Sequence, residues 1–326
     1  MDSRTLNSYF AHSHTVIVRA HFPSHWFLAF LTLLALFPRY LNAEATGVIY
    51  PTVSKPLQRV FSEIKSGIVS DNGKNISLFK LDDETTAVDF SNWQKKVKLQ
   101  RLIVLGNRAK KFVESQPDSV KALTFGAIRK IKLNRQQAAV SIIPAPKSML
   151  SQLLAIAPSV KRVFVIENTS NGNDLVNQAI LSGKSLSLEV IVRQAATPQA
   201  FAQALKEIIA QMRPGADAFW LSHNAEPINK KLLQQTLVDA WNRNLIIFSS
   251  NLADVKRGAL FAVFPDNVLM GRQLYELANR KNTTNANNLE YAKHLHIALN
   301  RRTASHLGIN FSRNDLKLFK LVYPPY

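Results

Sequence analysis

The chain has 326 residues, no cysteine and a formal net charge of +19. Apolar residues make up 46% and charged residues 19%, which is typical of a folded globular protein and not of a disordered one. The lack of cysteine excludes disulfides, thiolate catalysis, cysteine-based zinc sites and a lipoprotein anchor. The basic residues are scattered and form none of the dense runs that bind nucleic acid, so we expect no nucleic-acid partner. A solvated basic surface is the simpler interpretation, and attraction to an anionic ligand or partner is the alternative.

Residues 1–45 have the pattern of a signal peptide. Their apolar run, WFLAFLTLLALF at 26–37, is too short to span a bilayer, follows two arginines and precedes small residues. Cleavage after Ala45 or after Ala43 fits those small residues, and a short buried helix is the alternative interpretation of the run. We therefore predict export to the periplasm without a lipid anchor.

Short β-rich runs alternate with helix-periodic segments from residue 46 onward. The predicted strands are 47–50, 76–81, 101–105, 120–125, 162–166, 188–192, 218–221, 245–248, 259–264 and 297–299. Helices are predicted after Ser54, which is placed as an N-cap, after Gly106, and at 149–157, 174–181, 197–212, 227–241, 266–278 and 301–306. This alternation predicts an α/β protein with helices covering parallel sheets. So many strands favour two Rossmann-like lobes, with a break near Pro144 and Pro146.

Sequence motifs for nucleotide binding and for serine hydrolysis are missing, since the chain has no GxGxxG after a strand, no GxxxxGK[ST] and no GxSxG. His294 and His296 share one strand face, but only Glu290 is nearby as a third metal ligand. Ordinary strand histidines are the simpler interpretation. We therefore predict a protein that is not an enzyme and uses no cofactor and no metal.

Polar residues follow the carboxyl ends of the predicted strands, where open parallel sheets bind their ligands. Small hydroxyls, amides and a few aromatic rings suit a small polar ligand, and ordinary turn and capping chemistry is the alternative. Glu167 and Phe264 lie at such strand ends. The candidate ligand-binding residues are Tyr50, Thr52, Ser54, Gly106, Asn107, Phe125, Gly126, Asn168, Asn171, Ser222, His223, Asn224, Ser249, Ser250, Asn251 and Asp266.

Several segments share their order and spacing with a known family. These segments are LAIAPSVKRVFV at 154–165, FSSN at 248–251, VKRGALFA at 255–262, FPD at 264–266, MGRQ at 270–273, NRRTA at 300–304 and LG at 307–308. Together they resemble the ABC-transporter substrate-binding family that includes tryptophan- and tyrosine-binding proteins. The chain departs from that family at Glu167, where the family often has tyrosine, and at Arg257, which makes the region before Gly258 unusually basic.

The resemblance implies a type I periplasmic-binding-protein fold with two hinged lobes. It implies an N-terminal lobe of 46–143 plus 257–285 and a C-terminal lobe of 144–256 plus 286–326. It also implies a monomer that captures a small molecule by hinge closure and then docks on an ABC permease in the inner membrane. The resemblance implies an amino acid as the ligand, whereas the net positive charge favours an anion. A ligand-sensing or partner-binding periplasmic module of the same fold is the alternative, and an α/β enzyme is a third hypothesis.

Overall fold

The computed structural model describes residues 45–70, 75–116, 120, 122–128, 133–134, 137–168, 174–222, 229–280 and 288–325. Residues 1–44 of the predicted signal peptide and the candidate site residues Asn171, His223 and Asn224 lie outside these ranges. Within the ranges, each helix falls short of the length or the apolar character that crossing a bilayer requires.

Strands and helices alternate along most of the described chain. The strands are β1 (Ala45–Pro51), β2 (Ile76–Leu81), β3 (Leu99–Leu105), β4 (Ala122–Gly126), β5 (Gln137–Ser141), β6 (Arg162–Glu167), β7 (Glu189–Gln194), β8 (Asp217–Leu221), β9 (Ile246–Ser249), β10 (Phe261–Pro265), β11 (Asn288–Tyr291), β12 (Leu295–Asn300) and β13 (Leu321–Tyr323). The α-helices are α1 (Lys55–Val69), α2 (Ala87–Val97), α3 (Gly106–Glu114), α4 (Pro146–Ile156), α5 (Asp174–Ser185), α6 (Pro198–Gln211), α7 (Lys230–Asn242), α8 (Leu252–Arg257), α9 (Asn267–Ala278) and α10 (Arg301–His306).

These strands form two sheets. The first sheet has the order β11-β5-β4-β3-β1-β2, and all its neighbouring strands are parallel. The second has the order β13-β12-β10-β9-β8-β6-β7, in which β12 runs antiparallel to β10. In each sheet the strand order reverses beside its earliest strand, β1 or β6, and such a reversal leaves a crevice at the carboxyl ends of the strands.

The central strands of both sheets are buried on both faces, which explains their apolar sequences. On β3, Ile103 packs with α1 and α9 on one face, whereas Val104 packs with α2 and α3 on the other. On β6, Val165 packs with α4, and Phe164 packs with α6 and α7. Since strand side chains alternate between faces, a strand covered on both sides needs apolar residues at every position. The predicted α/β class with two sheets is confirmed.

A close contact between two helices holds α9 on α1. A Cβ atom at Gly67 would lie 1.8 Å from the carbonyl oxygen of Val268, and one at Gly271 would lie 2.1 Å from the carbonyl oxygen of Ile64. Only glycine lets the two backbones approach this closely. Helix α9 follows directly on β10 of the second sheet, and α1 follows β1 of the first sheet. The contact therefore packs the segment that leaves the second sheet against a helix of the first.

Two strands, β10 and β11, do not lie in the sheet expected from the predicted lobe boundaries. β10 falls within 257–285, expected in the N-terminal lobe, but it pairs with β9 and β12 of the second sheet. β11 falls within 286–326, expected in the C-terminal lobe, but it pairs with β5 of the first sheet. The chain therefore crosses between sheets after β5, β10 and β11, and the exact division into lobes stays a prediction.

Local differences from the expected elements have simple causes. The sequence analysis missed α2, whose apolar face is interrupted, and β5, whose sequence QAAVS has small residues in place of a β-branched run. The short edge strands β11 and β13 were also missed. Ser54 precedes α1, but its side chain makes no capping hydrogen bond, so the prediction of a side-chain cap was wrong. Its carbonyl oxygen instead accepts hydrogen bonds from the amides of Leu57 and Gln58.

The glycine contact predicts an unusual sign for one helix substitution. Replacing glycine by alanine inside a helix normally stabilises by about 1 kcal/mol. We expect Gly67→Ala instead to lower the free energy of unfolding by about 1–3 kcal/mol, because the added methyl group overlaps the backbone of α9. Urea unfolding measures the change. Ser62→Ala, at an exposed position of the same helix, is the control and should stay within about 0.5 kcal/mol of the wild type. A stabilised Gly67→Ala variant would contradict the contact.

Candidate functional site

A cavity of about 540 Å³ lies beside the segments that cross between the sheets. Ile142 and Ile143 line it from the crossing after β5, and Asp266 lines it from the crossing after β10. Helix α1 contributes one wall, and the loop after β9 contributes another. The remaining lining residues are Leu57, Arg59, Val60, Glu63, Ser250, Asn251, Leu252, Phe264, Pro265, Asn267, Val268, His296, Lys320 and Leu321. A volume of this size suits a small organic ligand.

Only part of the predicted site lines this cavity. Ser250, Asn251 and Asp266 do so. The described candidates outside the lining are Tyr50, Thr52, Ser54, Gly106, Asn107, Phe125, Gly126, Asn168, Ser222 and Ser249. Phe125 and Ser249 are fully buried, and Phe125 belongs to a core cluster of the first sheet. A ligand-binding role for the candidates outside the cavity stays a prediction.

Asp266 connects the second sheet to the start of α9. Its Oδ1 accepts hydrogen bonds of 3.0 Å from the backbone amides of Val268 and Leu269, which caps the helix. Its Oδ2 lies 3.0 Å from Nε2 of His296 on β12. The antiparallel pairing of β10 with β12 places His296 opposite Phe264, and the two rings meet edge to face with centroids 5.7 Å apart. The carboxylate therefore holds one corner of the cavity in place.

Glu63 on α1 also contacts the start of α9. Its Oε2 accepts a hydrogen bond of 2.8 Å from Nδ2 of Asn267, and its Oε1 accepts one of 2.7 Å from Nε of Arg59. Burial opposes ionisation of Glu63, but the two hydrogen bonds outweigh it and lower the pKa of the carboxyl. The sequence analysis missed this group. The i, i+4 spacing of Arg59 and Glu63 was its only sequence signal, and such pairs are common on exposed helices.

The loop after β9 is held by its own polar side chains. Ser249 Oγ donates a hydrogen bond of 2.7 Å to Oδ2 of Asp254, and Asn251 Oδ1 accepts one from the amide of Ala253. Burial raises the pKa of the Asp254 carboxyl, against the hydrogen bond from Ser249 and the charge of Arg257. The Ser249 side chain therefore lies in the protein interior, whereas the next two residues, Ser250 and Asn251, line the cavity.

Ser250 also has a structural partner. Its Oγ accepts a hydrogen bond of 3.0 Å from Nε1 of Trp220, a fully buried side chain of β8. The bond links the cavity to the core of the second sheet, because Trp220 packs on Phe248 and on the residues around α4.

Two further polar groups lie at strand ends of the second sheet. Glu167 is the last residue of β6, and Ser222 follows β8 directly. Among the described residues, Glu167 Oε1 and Ser222 Oγ are buried and have no hydrogen-bond partner. Burial raises the pKa of the Glu167 carboxyl. Glu290 was considered as a third metal ligand beside His294 and His296. Its carboxylate instead accepts hydrogen bonds from Gln273 and Arg280. No group of three His, Cys, Asp or Glu side chains in the described ranges could hold a metal ion.

No family model and no curated protein matches this chain. Solved structures do match it. A conserved domain protein from Vibrio cholerae is 16% identical with a TM-score of 0.53, over 85% of this chain and 99% of its own. An ABC domain in complex with L-Trp from Streptococcus pneumoniae is 17% identical with a TM-score of 0.54, over 86% and 99%. A ligand-free, open substrate-binding protein with adhesive properties from Clostridium difficile is 14% identical with a TM-score of 0.56, over 86% and 99%.

Identities this low establish the fold alone. The chain has the two-sheet α/β architecture of type I periplasmic binding proteins, as the sequence predicted. That fold supports the binding of a ligand.

The bond between Ser250 and Trp220 predicts a measurable coupling. We expect Ser250→Ala to lower the free energy of unfolding by about 1–3 kcal/mol, because the buried indole N–H loses its acceptor. The same change in a Trp220→Phe background should cost about 0.5–1.5 kcal/mol less, since no donor is left without a partner there. Urea unfolding of the four proteins gives both values. Equal costs in the two backgrounds would show that this bond does not stabilise the loop.

Proposed function

We propose that this chain is the extracytoplasmic substrate-binding component of an ABC-type importer and captures a small polar ligand between two lobes. The observation that carries the proposal is the cavity beside the crossing segments, because α1 of the first sheet and the loop after β9 of the second both line it. A ligand that contacts both walls favours the closed arrangement over the open one. That difference in affinity is what drives hinge closure.

The lining supports a ligand with both apolar and polar parts. Leu57 and Val60 offer apolar surface, while Asn251 and Lys320 bring an amide and an ammonium group to the same space. The Streptococcus pneumoniae structure holds L-Trp, and the sequence segments at 248–273 resemble a family that binds aromatic amino acids. Aromatic amino acids are therefore the first ligands to test.

Binding without catalysis is part of this proposal. The carboxylates of Asp266 and Glu63 are both engaged in hydrogen bonds that hold α9 and α1. Ser250 is bonded to an indole N–H and not to a general base. These contacts support a rigid binding wall more than a nucleophile with its activating partner.

Export to the periplasm is also part of the proposal and rests on the signal-peptide pattern of residues 1–45. With no cysteine to carry a lipid, the mature chain would diffuse freely between its ligand and an inner-membrane permease. The net positive charge then favours ligands or partner surfaces that carry negative charge.

Ligand-dependent thermal shifts test the cavity. We expect a ligand found among amino acids, sugars, nucleosides and anions to stabilise the secreted protein by about 2.7 kcal/mol at one hundred times its Kd. Leu57→Trp should abolish the shift, because an indole at this half-exposed position fills the cavity. Leu181→Trp, at a similarly exposed leucine of α5 outside the lining, is the matched control and should keep the shift. Equal shifts in the two variants would place the ligand elsewhere.

Uptake by cells tests the importer role. We expect a strain without the gene to lose high-affinity uptake of the ligand so identified, and the wild-type gene to restore it. A gene for Leu57→Trp, or one without codons 2–45, should not restore uptake, because the first product cannot bind and the second is not exported. Uptake that persists in the deletion strain, together with loss of a ligand-dependent response, would favour the sensing module instead.

A further inference from the structure

A second cavity, of about 500 Å³, is lined by α10 and by segments that follow it in the chain. Among the described residues, it shares no lining residue with the cavity described above. The lining includes Arg301, Arg302 and Ser305 of α10 and the apolar side chains of Ile309, Phe311 and Leu316. The proposed importer function uses none of these residues.

The two cavities lie at opposite ends of the second sheet. The antiparallel register places Leu299 opposite Phe261, the first residue of β10, and His296 opposite Phe264 near its carboxyl end. Phe264 and His296 line the first cavity, whereas α10 begins two residues after Leu299. Pro324, which also lines the second cavity, follows β13 where that strand pairs with the last residue of β12. A ligand in the second cavity therefore does not compete for the first.

Buried side chains hold α10 against the end of α8. Asn300 Nδ2 donates a hydrogen bond of 2.8 Å to the carbonyl oxygen of Val255, and Thr303 Oγ1 donates one of 2.9 Å to that of Gly258. Asn300 and Thr303 are both buried. The helix that carries the two cavity arginines is thus fixed on the core of the second sheet.

Arg302 is held by an aromatic ring and not by an acid. Its guanidinium carbon lies 5.5 Å from the ring centroid of Trp241, and that ring stacks on His306 with centroids 3.7 Å apart. The described chain supplies no hydrogen-bond acceptor to the Arg302 guanidinium. Because contact with a ring face leaves the N–H groups at the edge of a guanidinium available, Arg302 can still bind an oxoanion.

The charged residues that line the second cavity are all positive. Arg301 and Arg302 contribute two guanidinium groups, and no described lining residue is acidic. The first cavity differs, since Glu63 and Asp266 place two carboxylates in its lining. The second cavity therefore attracts an anion and repels a cation.

Residues at the rim of the second cavity support this polarity. Exposed Lys256 places its Nζ 5.2 Å from the ring centroid of Tyr323, the residue before Pro324. Asp315 lies next to Leu316 in the chain but outside the lining, and its carboxylate accepts a hydrogen bond of 2.9 Å from the amide of Ser312. The one acid close in sequence is thus engaged with its own loop.

Apolar side chains form the other part of the lining. Ile309, Phe311 and Leu316 are half-buried and pack against a core cluster of the second sheet. Phe311 also meets Phe319 of that cluster edge to face, with ring centroids 5.2 Å apart. An inorganic ion would leave this surface exposed to water, whereas an anion with an apolar group would cover it.

We propose that the second cavity is a separate binding site for an organic anion, a carboxylate or phosphate ester attached to an apolar group. Arg301 and Arg302 face the anionic group, and Ile309, Phe311 and Leu316 contact the apolar group. Guanidinium groups match the paired oxygen atoms of carboxylates and phosphates. The inference does not depend on the proposed importer function. The phosphate ester can be a free metabolite or the headgroup of an anionic lipid, and the experiment separates these sources.

Matched probes separate the charge of the ligand from its apolar part. The probe is phenyl phosphate, and calorimetry on the secreted protein measures its affinity. We expect inorganic phosphate to bind about tenfold more weakly, because it leaves the apolar surface uncovered. Uncharged benzyl alcohol and cationic benzylamine should bind about 100-fold more weakly, because neither can accept the guanidinium hydrogen bonds.

Substitutions then assign the binding to this cavity. Arg302→Gln should weaken phenyl phosphate binding about tenfold. Ser305→Trp, at an exposed lining position, should abolish it by filling the cavity. Arg313→Gln makes the same charge change at an exposed arginine outside the lining and should keep the affinity. Leu57→Trp, which fills the first cavity, should also keep it. Melting temperatures of the unliganded variants verify that each one folds.

Vesicle sedimentation distinguishes the two sources of the anion. Binding to phosphatidylglycerol vesicles but not to phosphatidylcholine vesicles, lost in Arg302→Gln and Ser305→Trp, would identify a lipid headgroup. Binding of phenyl phosphate without vesicle binding would identify a free ligand. Either result supports an anion site in this cavity.

Four results would overturn it. They are equal affinity for phenyl phosphate and benzyl alcohol, equal losses in Arg302→Gln and Arg313→Gln, unchanged binding in folded Ser305→Trp, and no binding of either phenyl phosphate or vesicles. If Leu57→Trp abolishes binding and Ser305→Trp does not, the anion occupies the first cavity. This inference then fails while the proposed function stands.

Discussion

The close approach of α1 and α9 is the contact on which the rest of the arrangement depends. Two glycines, Gly67 and Gly271, let the backbones of these helices touch where any side chain would collide. The contact matters because α9 begins one residue after Asp266, at the point where the chain leaves the second sheet. It therefore fixes α1 relative to a crossing segment, and the cavity lies between these two features.

Polar side chains at the edge of the cavity also hold α1, α9 and β12 together. Asp266 caps α9 and reaches His296 of the second sheet, while Glu63 of α1 reaches Asn267 of the same helix start. Each of these carboxylates links two elements that are distant in sequence. A cavity wall held by such links is preformed, so under the proposed function little conformational entropy would be lost when a ligand binds.

Glu167 contrasts with these groups. Most buried charges of the described chain are neutralised by nearby donors, as the pairing of Asp217 with Arg162 and Arg213 shows. Glu167 keeps one carboxyl oxygen without a hydrogen-bond partner among the described residues, and burial raises the pKa of this carboxyl.

The sequence by itself determined the α/β class, the positions of most strands and the apolar character of strands such as β3 and β6, because these follow from local periodicity and from burial on both faces. It also predicted that Ser250, Asn251 and Asp266 follow strand ends, and these three residues line the cavity. Only the tertiary structure decided that β10 and β11 belong to sheets other than those expected, because strand pairing depends on partners far away in the chain. The same holds for the cavity wall formed by Glu63 and His296, whose contacts with Asn267 and Asp266 join residues that no local pattern relates.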